Sequence, residues 1–462
     1  MADPDNPSSS TAEPPAVVVA DPPPAEAIAE ESAVGGDKEA AAGDAVEGAQ
    51  GAEATQGPGT REPSEMGDDE GPLFIDPDEC IDIPDGSEPE SSDDEGQGDP
   101  DEPQREFGPD QSKVSVDAHK ESALAVAISP KDATLVATGG QDDVAYLWRI
   151  SDEEGAAITQ VFKLEGHSDS VIAVAFSSDG KYLATGSYDS TVRIWNPETG
   201  VCEQKLEGPS SEVEFLVWHP KGHVIVAGSA DSTAWMWWAP TGKVMQVFAG
   251  HGDTVTCGAF GHGGKVVCTA SLDKGAIVWD PKSGLPKHRF NNLHGAGIIS
   301  LACHATLPIM ATGSDDASLK ITQVETGKEI TELLGHSDSV EVVEFNNDKD
   351  VPLLATAGLE GKIQVWDCNT WQSRCVIEPE NGQGIVRGAW LFPGGQVFVS
   401  ASVDATVRVW DGRTGAGIQV LTGHRDGVLD VALTARDENK TCRVATVSDD
   451  KTLKLWDVGL VA

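Results

Sequence analysis

Gly166-His-Ser-Asp-Ser-Val171, Ile172-Ala-Val-Ala-Phe176, Ser178-Asp-Gly-Lys181, Tyr182-Leu-Ala-Thr-Gly-Ser187 and Asp189-Ser-Thr-Val-Arg-Ile-Trp195 form one continuous unit that decides the fold. The run Val171–Phe176 is unbroken and apolar, the pattern of an inner strand buried on both faces. Asp179-Gly180 supplies residues that tolerate the positive φ of a tight hairpin turn. The run from Val192 to Trp195 alternates around Arg193, as a more exposed strand would.

The unit recurs. Aligned on its closing residue, the chain reads Trp148, Trp195, Trp237, Trp279, Thr322, Trp366, Trp410 and Trp456, with intervals of 47, 42, 42, 43, 44, 44 and 46. A period of roughly 40–45 residues is that of a WD40 blade, four strands in each. The expected fold is therefore all-β: a WD40 β-propeller of eight four-stranded blades, with seven as the fallback if the weak unit ending at Thr322 lies outside the ring. After Trp456 only six residues remain, too few for another convincing strand. Lys113-Val-Ser-Val-Asp117 has a strand pattern and no partner of its own. It is expected to pair into the final blade and close the ring, removing an exposed edge.

Upstream the composition changes. Residues 1–112 hold 32 Asp/Glu against Lys38, Arg61 and Arg105, a net charge of −29, with 16 of the 27 prolines. Such a segment cannot bury enough apolar surface to offset its ordering entropy, so 1–112 reads as a disordered acidic tail and 113–462 as the propeller. Within the tail, Leu73 to Pro84 alternates aliphatic residues with acids and could act as a short docking motif.

The whole chain carries 32 basic and 76 acidic side chains, a net of −44, and residues 113–462 contribute −15 of it (29 basic, 44 acidic). This repels nucleic acid and anionic membranes and steers basic partners inward. Cys80, Cys202, Cys257, Cys268, Cys303, Cys368, Cys375 and Cys442 form no C-x-x-C pair and no zinc-ligand spacing with His, so no metal is expected. Several lie in apolar runs, which suits a reducing compartment, cytoplasm and nucleus being the candidates. No signal peptide or membrane span is legible, and the expected state is a monomer without cofactor.

Four positions recur in the blades: His, Thr, Asp and the Trp. Complete sets are His119/Thr138/Asp142/Trp148, His167/Thr185/Asp189/Trp195, His251/Thr269/Asp273/Trp279 and His424/Thr446/Asp450/Trp456. A hydroxyl, an imidazole and a carboxylate could suggest a hydrolytic triad. The Trp argues otherwise, because a buried indole N–H can only donate and needs an acceptor. The sets are read as structural networks, no catalytic residue is assigned, and the protein is expected not to be an enzyme. Departures are Pro209 and Ala227 in the third blade, Thr322 in the fifth, Glu360 in the sixth and a missing His near Gly382 in the seventh.

Two places after each His stand Glu121, Asp169, Asp253, Asp338 and Asp426, with Glu212 close to the corresponding place in the third blade. Six of eight blades would thus offer a carboxylate at one rim. Asp143, Asp315 and Asp449 beside the structural acids, and the aromatic Tyr188, complete the candidate partner-binding set. Lys/Arg-rich peptides would form charge-assisted hydrogen bonds there.

Gly139-Gly-Gln-Asp-Asp-Val-Ala-Tyr-Leu-Trp-Arg-Ile150, Trp218-His219-Pro220 and Trp235-Met236-Trp237 make the chain resemble the angio-associated migratory cell protein family, across the whole propeller. That resemblance implies kinship with a fungal ribosome-assembly chaperone that holds the basic N-terminal segment of a large-subunit ribosomal protein. It equally implies kinship with animal members linked to cell migration and signalling. A separate stretch, Val397 to Arg413, resembles the motif by which some WD40 proteins dock on a cullin ubiquitin-ligase adaptor, which would make Arg413 an adaptor contact; Gly412 stands where that motif has an aliphatic residue.

Overall fold

The computed structural model describes residues 107–151, 157–348, 350–378, 383–391, 396–436 and 441–460. The tail through residue 106, with the 73–84 motif and Cys80, lies outside them.

Eight four-stranded antiparallel sheets form the fold, with two short 3-10 turns (Ala239–Thr241 and His262–Gly264) and no α-helix among the described residues. The inner strands are Ala123–Ile128, Val171–Phe176, Val213–Trp218, Cys257–Gly261, Ile298–Cys303, Val342–Phe345, Ile385–Trp390 and Val428–Arg436. Each packs on the inner strand of the next sheet, and the eighth packs on the first, so the ring is an eight-bladed propeller. The unit ending at Thr322 is a full blade: Ile298–Cys303, Ile309–Ser314, Leu319–Gln323 and Lys328–Leu333 pair in order. Thr322 is fully buried where the other blades place an indole.

Two expectations about strand burial change. The inner strand of the second blade is only half-buried beyond Val171, because one of its faces borders the ring's axis. The strand buried throughout is the next one, Leu183–Ser187, which has sheet on both sides and a neighbouring blade on each face. Val192–Trp195 is interior too, and the exposed edge is Cys202–Leu206, whose burial alternates. The alternation around Arg193 thus marks position within a blade and not exposure.

Closure uses both ends of the chain. Val114–Asp117 pairs antiparallel with Thr452–Leu455 and supplies the outermost strand of the eighth blade. Docking starts earlier, so the boundary drawn at residue 112 falls inside a bonded segment. The Thr422 hydroxyl donates to the Pro109 carbonyl at 2.7 Å, the Gln111 N–H to the Thr422 carbonyl at 2.9 Å, and Lys454 pairs with Asp110 at 2.6 Å. Arg443, almost fully buried, pairs with Asp457 at 3.1 Å and donates to the Ala133 carbonyl of the first blade at 3.2 Å. Asp457 also receives Lys113 at 2.5 Å. The Asp430 carboxylate accepts the Val126 N–H of the first blade at 2.9 Å. A buried charge without its partner is costly, so this seam depends on all its members being present.

Removing residues 1–108 leaves the Pro109 carbonyl, Asp110 and the outer strand in place, and should leave the melting temperature within a degree or two. Removing 1–118 exposes the edge of the strand Thr452–Gly459, strands Lys454 and takes Lys113 from Asp457, and should lower it by roughly 5 °C or more. Equal melting of the two truncations would contradict this closure.

Candidate functional site

The recurring polar sets are built alike. In the second blade Trp195 Nε1 donates to Thr185 Oγ1 at 2.9 Å, the hydroxyl faces His167 Nε2 at 2.7 Å, and His167 Nδ1 faces Asp189 at 2.9 Å. Asp189 then accepts the backbone N–H of Ser168 at 3.1 Å and of Thr191 at 2.9 Å. The network has one consistent proton arrangement: indole N–H to hydroxyl, hydroxyl to Nε2, Nδ1–H to carboxylate. Burial would raise the Asp189 carboxyl, but hydrogen bonds from His167 and Thr191 outweigh it and hold it well below the usual range. Burial holds the imidazoles of His251, His294 and His336 below their ordinary value, so they are neutral links. Thr138, Thr185, Thr269 and Thr446 are completely buried, which denies any of them a substrate.

The membership of the sets differs from the sequence pattern. Blades one, two and four are wired from Trp to Asp. The sixth is wired as well, with Glu360 reaching His336 at 2.5 Å, His336 facing Thr356 at 2.8 Å and Trp366 donating to Thr356 at 3.0 Å. In the eighth, His424 holds Thr446 and Asp450, yet the Trp456 N–H has no partner, so that set is not complete. In the fifth, His294 reaches Thr312 at 2.8 Å and Ser318 at 2.7 Å without an indole. In the seventh, Trp410 donates to Ser400 at 3.0 Å. In the third, Ala227 offers no oxygen and the Trp237 N–H is left buried and unpaired.

These networks fix the loops at one rim. The structural acid straps the turn before the inner strand to the turn after the second strand. Main-chain hydrogen bonds repeat the strap: Tyr188 N–H to Ser170 O, Ala230 to Glu212, Leu272 to Thr254, Asp315 to Gly297, Leu359 to Ser339, Val403 to Gly384 and Asp449 to Gly427. That register gives the rim positions. One ring reads Glu121, Asp169, Ser211, Asp253, Ala296, Asp338, Gln383 and Asp426. Glu212 is one residue beyond its ring, and Ser211 holds the equivalent place, so five blades and not six present the carboxylate. The second ring reads Gln141, Tyr188, Ala230, Leu272, Asp315, Leu359, Val403 and Asp449. Asp143 is not its member: it sits one place after the structural acid at φ 64°, a left-handed position that Asp tolerates.

Asp169, Asp253, Asp338 and Asp426 each accept the next backbone N–H at 2.7–2.8 Å through one oxygen. Among the described residues none of them forms an ion pair. Glu121, Asp169, Glu212, Asp253, Asp338 and Asp315 are exposed. Acids concentrate over the first three blades. Burial first, then the charges of Asp169 and Glu121, push the Asp143 carboxyl up. Burial and Glu212 push up Glu214, an inner-strand residue the sequence pattern did not single out. Burial, Glu214, Glu212 and Asp169 push up the Tyr188 phenol. These are carboxylates close enough to repel one another, an uncompensated negative field. Exposed Tyr188, Leu272 and Leu359 stand among them as apolar contacts, and the latter two were also missed. They became visible only once the backbone register set the second ring.

Arg413 lies in the turn between the third and fourth strands of the seventh blade, on the face opposite this rim. It is half-exposed and 3.8 Å from Asp411. A Cβ on Gly412 would fall 2.3 Å from the Trp390 ring, so the aliphatic residue of the adaptor motif has no room. Among the described residues no cluster of His, Cys, Asp and Glu could hold a metal, and no helix is long and apolar enough to cross a membrane.

A ring of four-stranded blades strapped by Trp–Thr–His–Asp networks defines a WD-repeat propeller, a scaffold for binding other proteins. The WD domain, G-beta repeat family matches residues 111–149, 158–196, 200–237, 242–280, 327–367, 374–411 and 415–457, passing over the blade that ends at Thr322. The chain is 30% identical over 368 residues to the human angio-associated migratory cell protein, covering 76% of this chain and 81% of that one. It is 32% identical over 351 residues to an uncharacterised WD repeat-containing protein of Schizosaccharomyces pombe, covering 73% and 84%. The crystal structure of Saccharomyces cerevisiae Sqt1 superposes with a TM-score of 0.69 at 21% identity, over 76% of this chain and 100% of that one. Chaetomium thermophilum Sqt1 bound to the N-terminus of the ribosomal protein L10 does so with 0.67 at 23%, over 76% and 100%. The chain belongs to the WD-repeat proteins and, among them, to the angio-associated migratory cell protein family.

Thr185→Val keeps the shape but removes the oxygen shared by Trp195 and His167, and should cost roughly 2 kcal/mol in urea denaturation. Ala227→Ser offers Trp237 its missing acceptor and should add up to about 1 kcal/mol. A harmless Thr185→Val would contradict the network's role.

Proposed function

We propose that the protein is a dedicated escort for a basic segment of a ribosomal protein, held on the acidic rim over blades one to three until assembly. The observation that carries this is the group of carboxylates Glu121, Asp143, Asp169, Glu212 and Glu214 around Tyr188, none of which forms an ion pair among the described residues. Carboxylates held this close without counter-ions gain from a Lys/Arg-rich peptide what they lose by facing one another. Tyr188 offers apolar area between the charges, where an aromatic anchor contributes most. The Sqt1 complex, in which a propeller of similar fold binds the N-terminus of L10, supports the choice of a ribosomal-protein client.

The client's Lys and Arg side chains would form charge-assisted hydrogen bonds with Glu121, Asp143, Glu212 and the second oxygen of Asp169. Escort of this kind needs no bond chemistry. It neutralises a segment that would otherwise bind nucleic acid indiscriminately, and releases it when rRNA competes.

An Arg/Lys-rich peptide from the N-terminus of a large-subunit ribosomal protein should bind the full chain, more weakly as salt rises. Glu121→Gln, Asp169→Asn and Glu212→Gln together should weaken it about tenfold or more by anisotropy or calorimetry. Unchanged affinity in the triple variant would overturn the proposal.

A further inference from the structure

Trp218-His219-Pro220 and Trp235-Met236-Trp237, the most distinctive runs of the chain, take no part in the acidic rim. They belong to the third blade, and Trp218-His219-Pro220 lies at its opposite face, where the first strand turns into the second. Trp218 Nε1 donates to the Ala175 carbonyl of the second blade at 2.9 Å, and its ring stacks on Tyr182 at 6.3 Å. His219 meets Phe260 of the fourth blade edge-on at 5.0 Å and accepts the Lys221 N–H at 3.1 Å. Gly264 has φ 91°, and a Cβ there would lie 2.1 Å from His219 Nε2, so that turn closes on the imidazole only as glycine.

His219 and Phe260 separate two hollows. One, about 560 Å³, is floored by Trp218, Phe260 and Cys303 and bordered by Lys221 and Lys265. The other, about 330 Å³, is floored by Met236, Phe260 and Pro281 and bordered by Met245 and Lys282. Exposed Trp238 and Met245 extend the apolar surface at the blade's edge. No carboxylate lines either hollow, in a chain whose net charge is −44. Glu325 approaches only the margin, 3.6 Å from His262. Lys221, Lys265 and Lys282 are exposed, and among the described residues none of the three forms an ion pair with a carboxylate.

We propose that this groove across blades three to five is a second docking site, taking an acidic peptide of a partner protein that carries a bulky apolar side chain. The apolar side chain fills the hollow over Trp218 and Phe260, and the flanking carboxylates meet the three lysines. Apolar floor sets affinity and the lysine border sets the sign of the partner. The acidic rim repels that same peptide, so the two faces select opposite charges and can be occupied together.

The test uses the full chain and a fluorescent synthetic peptide of Asp and Glu flanking a Leu-Phe pair. Saturable binding is expected, weakened about tenfold or more by Lys221→Glu, Lys265→Glu and Lys282→Glu together, and by replacing the peptide's Phe with Ala. Binding of a Lys/Arg-rich peptide at the other face should not fall. The milder set Lys221→Gln, Lys265→Gln and Lys282→Gln should give an intermediate loss, and serves if the reversals disturb folding. Absence of saturable binding, or an affinity indifferent to both lysine sets, overturns the proposal.

Discussion

The propeller depends on closing its ring with a strand from the far end of the chain. Seven blades each complete themselves in sequence, so their registers are local problems. The eighth cannot: three of its strands come from Val428 to Gly459, and the fourth is Val114–Asp117. The seam is correspondingly polar and specific. Arg443, Asp457 and Lys113 form one charged group, and Asp110 with Lys454 forms another. Non-local pairing of this kind carries a large loop-closure cost, met only when the rest of the ring is in place. The rim loops inherit their spacing from that closed circle.

Within each blade, the buried indole poses the problem that the other polar residues solve. Its N–H needs an oxygen, the oxygen's own proton needs an acceptor, and the imidazole passes the demand outward to a carboxylate at the rim. The outcome is a core hydrogen bond that ends by holding two surface loops. Departures show what is dispensable. Glu360 keeps the link to His336 but leaves its Oε2 buried and unpaired, whereas Ala227 leaves the Trp237 N–H unpaired. The fifth blade drops the indole and keeps the His–Thr–Ser end, so its loops stay strapped.

Much of this is legible in the sequence, because the repeat is periodic. The interval between tryptophans fixes the blade count, and the unpaired strand at residues 113–117 has only one edge to join. The alternation at Val192–Trp195 does not mark an exposed strand, since in a propeller it reports neighbours and not solvent. Glu212 could be placed only to within a residue, because Pro209 removes the His that anchors the count. Glu214, Leu272 and Leu359 were invisible, as their relevance arises from main-chain register across two loops. The groove behind Trp218 was likewise unreadable, being assembled from turns of three blades.

On the reading proposed above, opposite faces of one ring select opposite charges, with the acidic face taking a basic client. Hydrogen–deuterium exchange of the full chain with and without a Lys/Arg-rich client peptide tests it directly. Slowed exchange is expected in the rim loops around Glu121, Asp143, Asp169, Tyr188 and Glu212, and none at Trp218–Lys221 or Gly264. Protection confined to the opposite face, or spread evenly over the ring, would contradict it.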